Sequence, residues 1–264
     1  MIEMPFSGLL LDMDGVLYIG NQLIPGALET LRELRGRGLP FRFITNTSTR
    51  TPAQLLSQLH TLGIKAHAEE IFTAVTATVQ YLQSLGSPRC YFLVNDNIRS
   101  SFFGFREDRV APDVIVIGDI GDRWNYVLLN DLFNMLMRGS KMVCLHRNRY
   151  WETEGGLCMD IGAFVAALEF VSGQSARVIG KPAPEFFLQA LASVGLPPEQ
   201  VAVVGDDIDS DIGGAQNYGL RGILVKTGKY REALVNHSGI RPDYVIDSIA
   251  ELPAFLDSQL PVLG

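Results

Sequence analysis

Residues 8–18 read GLLLDMDGVLY, an apolar run followed by two aspartates one residue apart and a glycine. Leu9, Leu10 and Leu11 carry no polar alternation, as expected of a strand buried on both faces of a parallel sheet. Asp12 falls where such a strand ends, and open α/β sheets bind ligands beyond the carboxyl ends of their strands. Side chains of extended backbone alternate with period two, which predicts that Asp12 and Asp14 point the same way. Crowded carboxylates repel each other. A divalent cation, or a division of labour between nucleophile and proton carrier, gives a fold reason to keep them. A bare DxDG string is equally a strand followed by an Asp-Gly turn, so this stretch alone decides nothing about chemistry.

Three later stretches decide it. Residues 43–48 read FITNTS, 180–182 read GKP, and 203–211 read VVGDDIDSD. In order with the first stretch, they resemble the four motifs of the haloacid dehalogenase-like hydrolase superfamily. The resemblance spans nearly the whole chain. The long segment between Thr45 and Lys181 resembles the subclass with a large α/β cap, which includes p-nitrophenyl phosphatase-like and NagD-like enzymes. GKPAPEFF, GDDIDSDIGGAQ and LVKTGKYR are similar to the group of phospholysine phosphohistidine inorganic pyrophosphate phosphatases and dehalogenase-like domain-containing proteins.

The whole chain bounds the alternatives. With 264 residues, 47% hydrophobic and 19% charged, it has the make-up of an ordinary globular protein able to bury a large core. Its net charge of −7 argues against nucleic acid, which is bound largely through Lys and Arg. No run approaches the roughly 20 apolar residues of a membrane span, so no membrane partner is expected. The first strand is expected within a few residues of Met1, and no signal peptide is expected. Cys90, Cys144 and Cys158 are odd in number and lack CxxC spacing, which predicts reduced thiols and a cytoplasmic protein.

Along the chain, apolar segments of strand length alternate with segments of helical period. That pattern predicts a doubly wound, mostly parallel α/β sheet with a Rossmann-like core. Strands are expected at 41–45, 201–205, 222–226 and 244–246, with helices at 74–85, 184–194, 208–218 and 249–256. Gly213-Gly214 should allow close packing within one of those helices. From about residue 89 a second α/β pattern begins, with strands at 90–94, 114–117 and 142–145 and helices at 126–138 and 161–171. Residues 146–158 read as a polar loop. The expected division is a core of 1–88 and 175–264, with 89–174 inserted as a cap. The resemblance further implies a homodimer formed through that cap.

The motif residues cluster acid around one base: Asp12, Asp14, Asp206, Asp207 and Asp211 against Lys181. A phosphate dianion would be repelled there unless a metal intervened. Mg2+, held by one or two carboxylates plus substrate phosphate, suits the set, and the side chains of Asp12 and Asp206 are its expected ligands. The resemblance implies further roles. The backbone carbonyl of Asp14 would be a third ligand, and Asp207 and Asp211 would orient bound water. Asp12 would attack phosphorus, Asp14 would serve as general acid and base, and Thr45 and Lys181 would stabilise the phosphoryl charge. Asn46 and the amides after Asp12, Gly15 among them, would cradle the phosphoryl group. In the cap, Asp119, Arg123, His146, Arg147, Arg149, Tyr150 and Trp151 are candidates to reach a small phosphorylated substrate, with Arg147 taken forward.

Each residue also has a plainer reading. Thr45 could be a turn residue, Lys181 a solvated lysine, and Asp206 and Asp207 helix caps. Asp207, Asp209 and Asp211 resemble the start of a calcium loop, but Ile212 and Tyr218 occupy the positions that need Gly and Glu. Neither GxxxxGK[ST] nor GxGxxG occurs. A phospho-signalling receiver shares the residue types, but it places its acidic pair before its phospho-accepting Asp and spans about half this length. A non-catalytic interaction protein on the same fold is opposed by the intact Asp12, Asp14, Lys181 and Asp206.

Overall fold

The computed structural model describes residues 6–153 and 156–259, with the backbone alone at 151–153, 156 and 157. The chain divides into two compact units. The first runs to Thr45 and takes in Ala53–Phe72 and everything described from Lys181 on, and the second comprises Asn46–Pro52 and Thr73–Gly180.

The first unit is built on a six-stranded sheet. Its order is Tyr244–Ile246, Arg221–Val225, Val201–Gly205, Gly8–Asp12, Phe41–Thr45, Ile71–Thr73. Gly8–Asp12 lies at the centre, parallel to Val201–Gly205 on one side and to Phe41–Thr45 on the other. All five of its residues are buried. Leu9 and Leu11 face a large cluster with Leu31 and Leu34 of helix Ala27–Gly36, Leu55 and Leu59 of helix Pro52–Thr61, and Leu252 and Leu256 of helix Leu252–Ser258. Leu10, equally buried, lies outside that cluster, as period two requires. On the opposite face, Leu224 meets Ile208 and Ile212. Helices on both faces explain why these strands are apolar throughout.

Helix Pro184–Val194 starts with proline at its first position and ends at Gly195, whose φ of +76° is the left-handed geometry of a glycine stop. The helix expected at 208–218 is instead two pieces. Ile208–Gly213 is wound wide, with the Ile212 N–H donating to the Asp207 carbonyl, and Gly214–Asn217 completes it as α-helix. The two glycines do allow close packing: a Cβ on Gly214 would stand 2.8 Å from Pro182 Cα. Several short elements escaped the sequence reading, among them a strand at Ile71–Thr73 and a helix at Glu232–Ser238. Ile71–Thr73 is too short to show periodicity, and helix Glu232–Ser238 has no buried residue.

The second unit has its own four-stranded sheet in the order Arg177–Val178, Lys141–Cys144, Val114–Ile117, Cys90–Leu93, parallel throughout. Ile115, Ile117, Met142 and Cys144 pack against Leu132, Met135 and Leu136 of helix Tyr126–Met137 and against Val165 and Leu168 of helix Ile161–Ser172. Asn125 and Asp160 cap those helices by accepting from the backbone N–H groups of Leu128 and Ile161. Helix Ala74–Ser84, expected in the core, packs on the turn Asp96–Phe102 and groups with this unit. The expected loop 146–158 is largely a hairpin, Tyr150–Thr153 against Gly156–Met159. Its charged and aromatic composition hid the alternation that marks strands.

Burial pushes the Cys90 and Cys144 thiols up to about 12, whereas Cys158 is exposed. Thiolate is the reactive form. Iodoacetamide at mildly alkaline pH should therefore modify only Cys158 in the folded protein, and all three cysteines once it is unfolded. Peptide mass mapping checks this.

Candidate active site

Three strands of the first unit end side by side and deliver the motif residues. Asp12 closes the central strand in register with Ile44, which puts Thr45 one residue beyond it on the neighbouring strand. Gly205, in register with Leu224, is followed by Asp206. Asp12, Thr45, Lys181, Asp206 and Asp211 are all buried.

The Lys181 ammonium sits between two of the carboxylates, 2.8 Å from Asp12 Oδ1 and 2.6 Å from Asp211 Oδ1. One carboxylate oxygen from each of Asp12, Asp206 and Asp211 lies within 4.8 Å of the others. Three carboxylates sharing one ammonium carry surplus negative charge. Burial disfavours charge on Lys181, but Asp12 and Asp211 outweigh that and hold it above the ordinary lysine range. Burial raises the Asp211 carboxyl to about 7 against the pull of Lys181, with Asp12 adding to the rise. Burial likewise lifts Asp206 well above the carboxylate range, reinforced by Asp12 and Asp211.

Asp206 is held asymmetrically. Its Oδ2 accepts from the backbone N–H of Lys229 at 2.6 Å, while Oδ1 is buried without a hydrogen-bond partner. A buried carboxylate oxygen without a donor is costly, and a divalent cation satisfies it. The donor set therefore fits a hard cation, with Asp12 and Asp206 as the expected holders and Asp211 within the same cluster. Gly15, at φ +86°, lets the loop after Asp12 close on this carboxylate, since a Cβ there would stand 1.9 Å from Asp206 Oδ2.

The other expected residues fall as follows. The strand ends at Asp12, so alternation no longer governs Asp14, which is exposed while Met13 is buried. Asp207 caps the wide turn by accepting from the N–H groups of Asp209 and Ser210. Burial opposes its charge, yet Lys229 and the Ser210 N–H hold its carboxyl below the usual range. Asn46 begins the short segment that groups with the second unit, where its Oδ1 leaves no room for a Cβ on Gly180.

Arg147, also in the second unit, is committed to an ion pair with Glu169. Asp119 accepts from the Gly121 N–H, and Arg123 pairs with Asp96. His146 is buried, with Nε2 3.0 Å from Ser48 Oγ and Nδ1 3.9 Å from Asp160 Oδ2. Arg149 and Tyr150 are exposed, and the side chain of Trp151 lies outside the described residues. Sequence reasoning missed Lys229. The available signal was the K-T-G-K string after strand Arg221–Val225, where glycine marks a turn at the same sheet edge.

Removing the ammonium tests this electrostatic arrangement. Lys181→Met should fold but lose about 3–5 kcal/mol in chelator, as expected when one partner of a buried ion pair is deleted. Carboxylates whose pKa is raised by folding bind protons on folding, so protonation relieves the repulsion as pH falls. The deficit should therefore be smaller near about pH 5 than near about pH 7.5, as read from urea midpoints.

A haloacid dehalogenase-like hydrolase family model matches residues 9–105, and a HAD-hydrolase-like model matches 178–252. Human phospholysine phosphohistidine inorganic pyrophosphate phosphatase is 38% identical over 250 residues, covering 92% of each chain. The bovine haloacid dehalogenase-like hydrolase domain-containing protein 2 is 40% identical over 227 residues, covering 86% of each. Among solved structures, 4-nitrophenylphosphatase from Thermotoga maritima superposes with a TM-score of 0.88 at 27% identity, covering 95% of this chain and 97% of that one. NagD from E. coli K-12 gives 0.83 at 26%, covering 94% and 98%. By sequence over most of its length, and by the arrangement of its acidic strand ends, the chain belongs to the haloacid dehalogenase-like hydrolases.

Proposed function

We propose that this protein is a Mg2+-dependent phosphatase acting on a small phosphorylated molecule through an aspartyl-phosphate on Asp12. The observation that carries the reading is the Lys181 ammonium seated between Asp12 and Asp211 beside an unsatisfied Asp206 oxygen. The phosphatase names of the relatives support the same class.

The Lys181 ammonium, 2.8 Å from Asp12 Oδ1, gives the proposed nucleophile a charge partner that fixes its position. The same ammonium lies close enough to offset charge developing on a phosphoryl group at Asp12. Asp12 and Asp206 would hold Mg2+, which supplies the positive charge that lets an anionic substrate approach this acidic edge. Thr45, at the end of the adjacent strand, can donate its hydroxyl to a phosphoryl oxygen. An Asp12 oxygen then bonds to phosphorus as the ester P–O bond breaks, and Asp14 delivers its proton to the departing oxygen. Asp14, now a carboxylate, takes a proton from water. That water attacks phosphorus, the Asp12–phosphorus bond breaks, and inorganic phosphate leaves with Asp12 restored. The exposure of Asp14 suits a group that must meet both leaving group and solvent water.

Two outcomes test the roles. Asp12→Asn should reduce hydrolysis of a phosphate monoester to background while leaving the urea midpoint within the range of ordinary surface variants. Robust turnover by this variant, with deamidation excluded by mass, contradicts the covalent mechanism. The resemblance also implies relatives with serine two residues after the nucleophile, where this chain keeps Asp14. General acid catalysis is worth about 10²–10⁴-fold, and it matters most for poor leaving groups. Asp14→Ser should therefore slow the transfer step far more for an alkyl phosphate than for an aryl phosphate. Burst kinetics on one of each separates that step from hydrolysis of the intermediate. Equal losses on both would assign Asp14 a structural role.

A further inference from the structure

Residues 225–230, VKTGKY, do no work in the mechanism above, yet three successive residues there touch the two loops that carry it. The Thr227 hydroxyl donates to the Gly15 carbonyl. A Cβ on Gly228, at φ +58°, would stand 2.0 Å from Asp206 Oδ2 and 2.5 Å from Gly15 Cα. The Lys229 N–H donates to Asp206 Oδ2 at 2.6 Å. The turn is closed on itself by the Tyr230 N–H donating to the Thr227 carbonyl at 3.1 Å.

We propose that residues 227–229 form a positioning strap that sets the affinity of the acidic site for its divalent cation. The inference rests on the metal reading given above and adds the residues that tune it. A carboxylate offers two oxygens, and a cation competes with N–H donors for both. By occupying Oδ2, the Lys229 N–H leaves Oδ1 as the oxygen without a donor. The carboxylate cannot swing away, because Gly15 and Gly228 close on it from two directions with no room for a side chain on either.

The strap also steadies the loop after Asp12. The Gly15 N–H donates to the Tyr18 carbonyl at 2.8 Å, and peptide planarity then turns the Asp14 carbonyl the opposite way. Thr227 fixes the next peptide through its oxygen. Consecutive peptide planes held at both ends leave that carbonyl little freedom to reorient. Pre-set ligands lose less entropy when the cation binds. Thr227 touches none of the groups expected on the metal, so it acts through Gly15 as a positioning residue.

Calorimetric titration of the metal-free protein with Mg2+, without substrate, tests the strap apart from turnover. Thr227→Val keeps the shape and removes the hydroxyl. It should weaken Mg2+ binding by about three- to tenfold, the worth of one hydrogen bond. Thr227→Ser should restore the wild-type affinity, and the urea midpoint of metal-free Thr227→Val should stay close to wild type. Gly228→Ala, whose Cβ must displace the Asp206 carboxylate, should weaken binding more than Thr227→Val does. Wild-type affinity in Thr227→Val overturns the strap while leaving the metal reading standing. A wild-type protein that binds no Mg2+ overturns both. An equal loss in Thr227→Val and Thr227→Ser also overturns the proposal, since it would trace to packing rather than to the hydroxyl.

Discussion

The buried ammonium of Lys181 is the constraint on which the site depends. Asp12, Asp206 and Asp211 are too close to carry their charges unaided, and Lys181 alone stands between two of them. This balance is incomplete, because four acids (Asp12, Asp206, Asp207 and Asp211) stand against two bases, with Lys229 paired to Asp207. The deficit explains why burial can push Asp211 to about 7 and why one oxygen of Asp206 is left without a donor. A site short of positive charge is suited to take up a cation and, with it, an anionic substrate. A fully neutralised cluster would have no such appetite.

The sheet makes that crowding possible. Parallel strands end together, so the residues after Leu11, Ile44 and Gly205 gather at one edge although they lie far apart in the chain. Packing on both faces buries all five residues of Gly8–Asp12, the strand that carries the proposed nucleophile. Glycines then let backbone approach where a side chain would intrude, at Gly15 and Gly228 against Asp206 and at Gly205 against Asp211. A rigid sheet holds the acids in place, and the loops around them supply fine adjustment.

Much of this was legible in the sequence for identifiable reasons. The central strands are continuous apolar runs bounded by polar motif residues, so their ends could be located to within a residue at Asp12, Thr45 and Gly205. Helix Pro184–Val194 carried both its proline start and its glycine stop. Misreadings arose where local pattern and tertiary context part. The hairpin Tyr150–Thr153 with Gly156–Met159 reads as loop because charge and aromatics interrupt its alternation. Helix Ala74–Ser84 reads as core because nothing local records that it packs on Asp96–Phe102. The strand ends at Asp12, so strand alternation does not fix the direction of Asp14, two residues on. Lys229 escaped notice because it acts partly through its backbone N–H, which residue identity does not reveal. The cap candidates fared differently, since Arg147 and Arg123 have acidic partners of their own within the second unit.

Asp12 is the group proposed to receive phosphorus, and this can be tested directly. Rapid mixing of enzyme with a phosphate monoester, acid quench and borohydride reduction converts an aspartyl-phosphate to homoserine, which peptide mass spectrometry locates. Homoserine is expected at position 12 and nowhere else, with none formed when chelator replaces Mg2+. Turnover without homoserine at position 12, or with the label on another carboxylate, would contradict that role for Asp12.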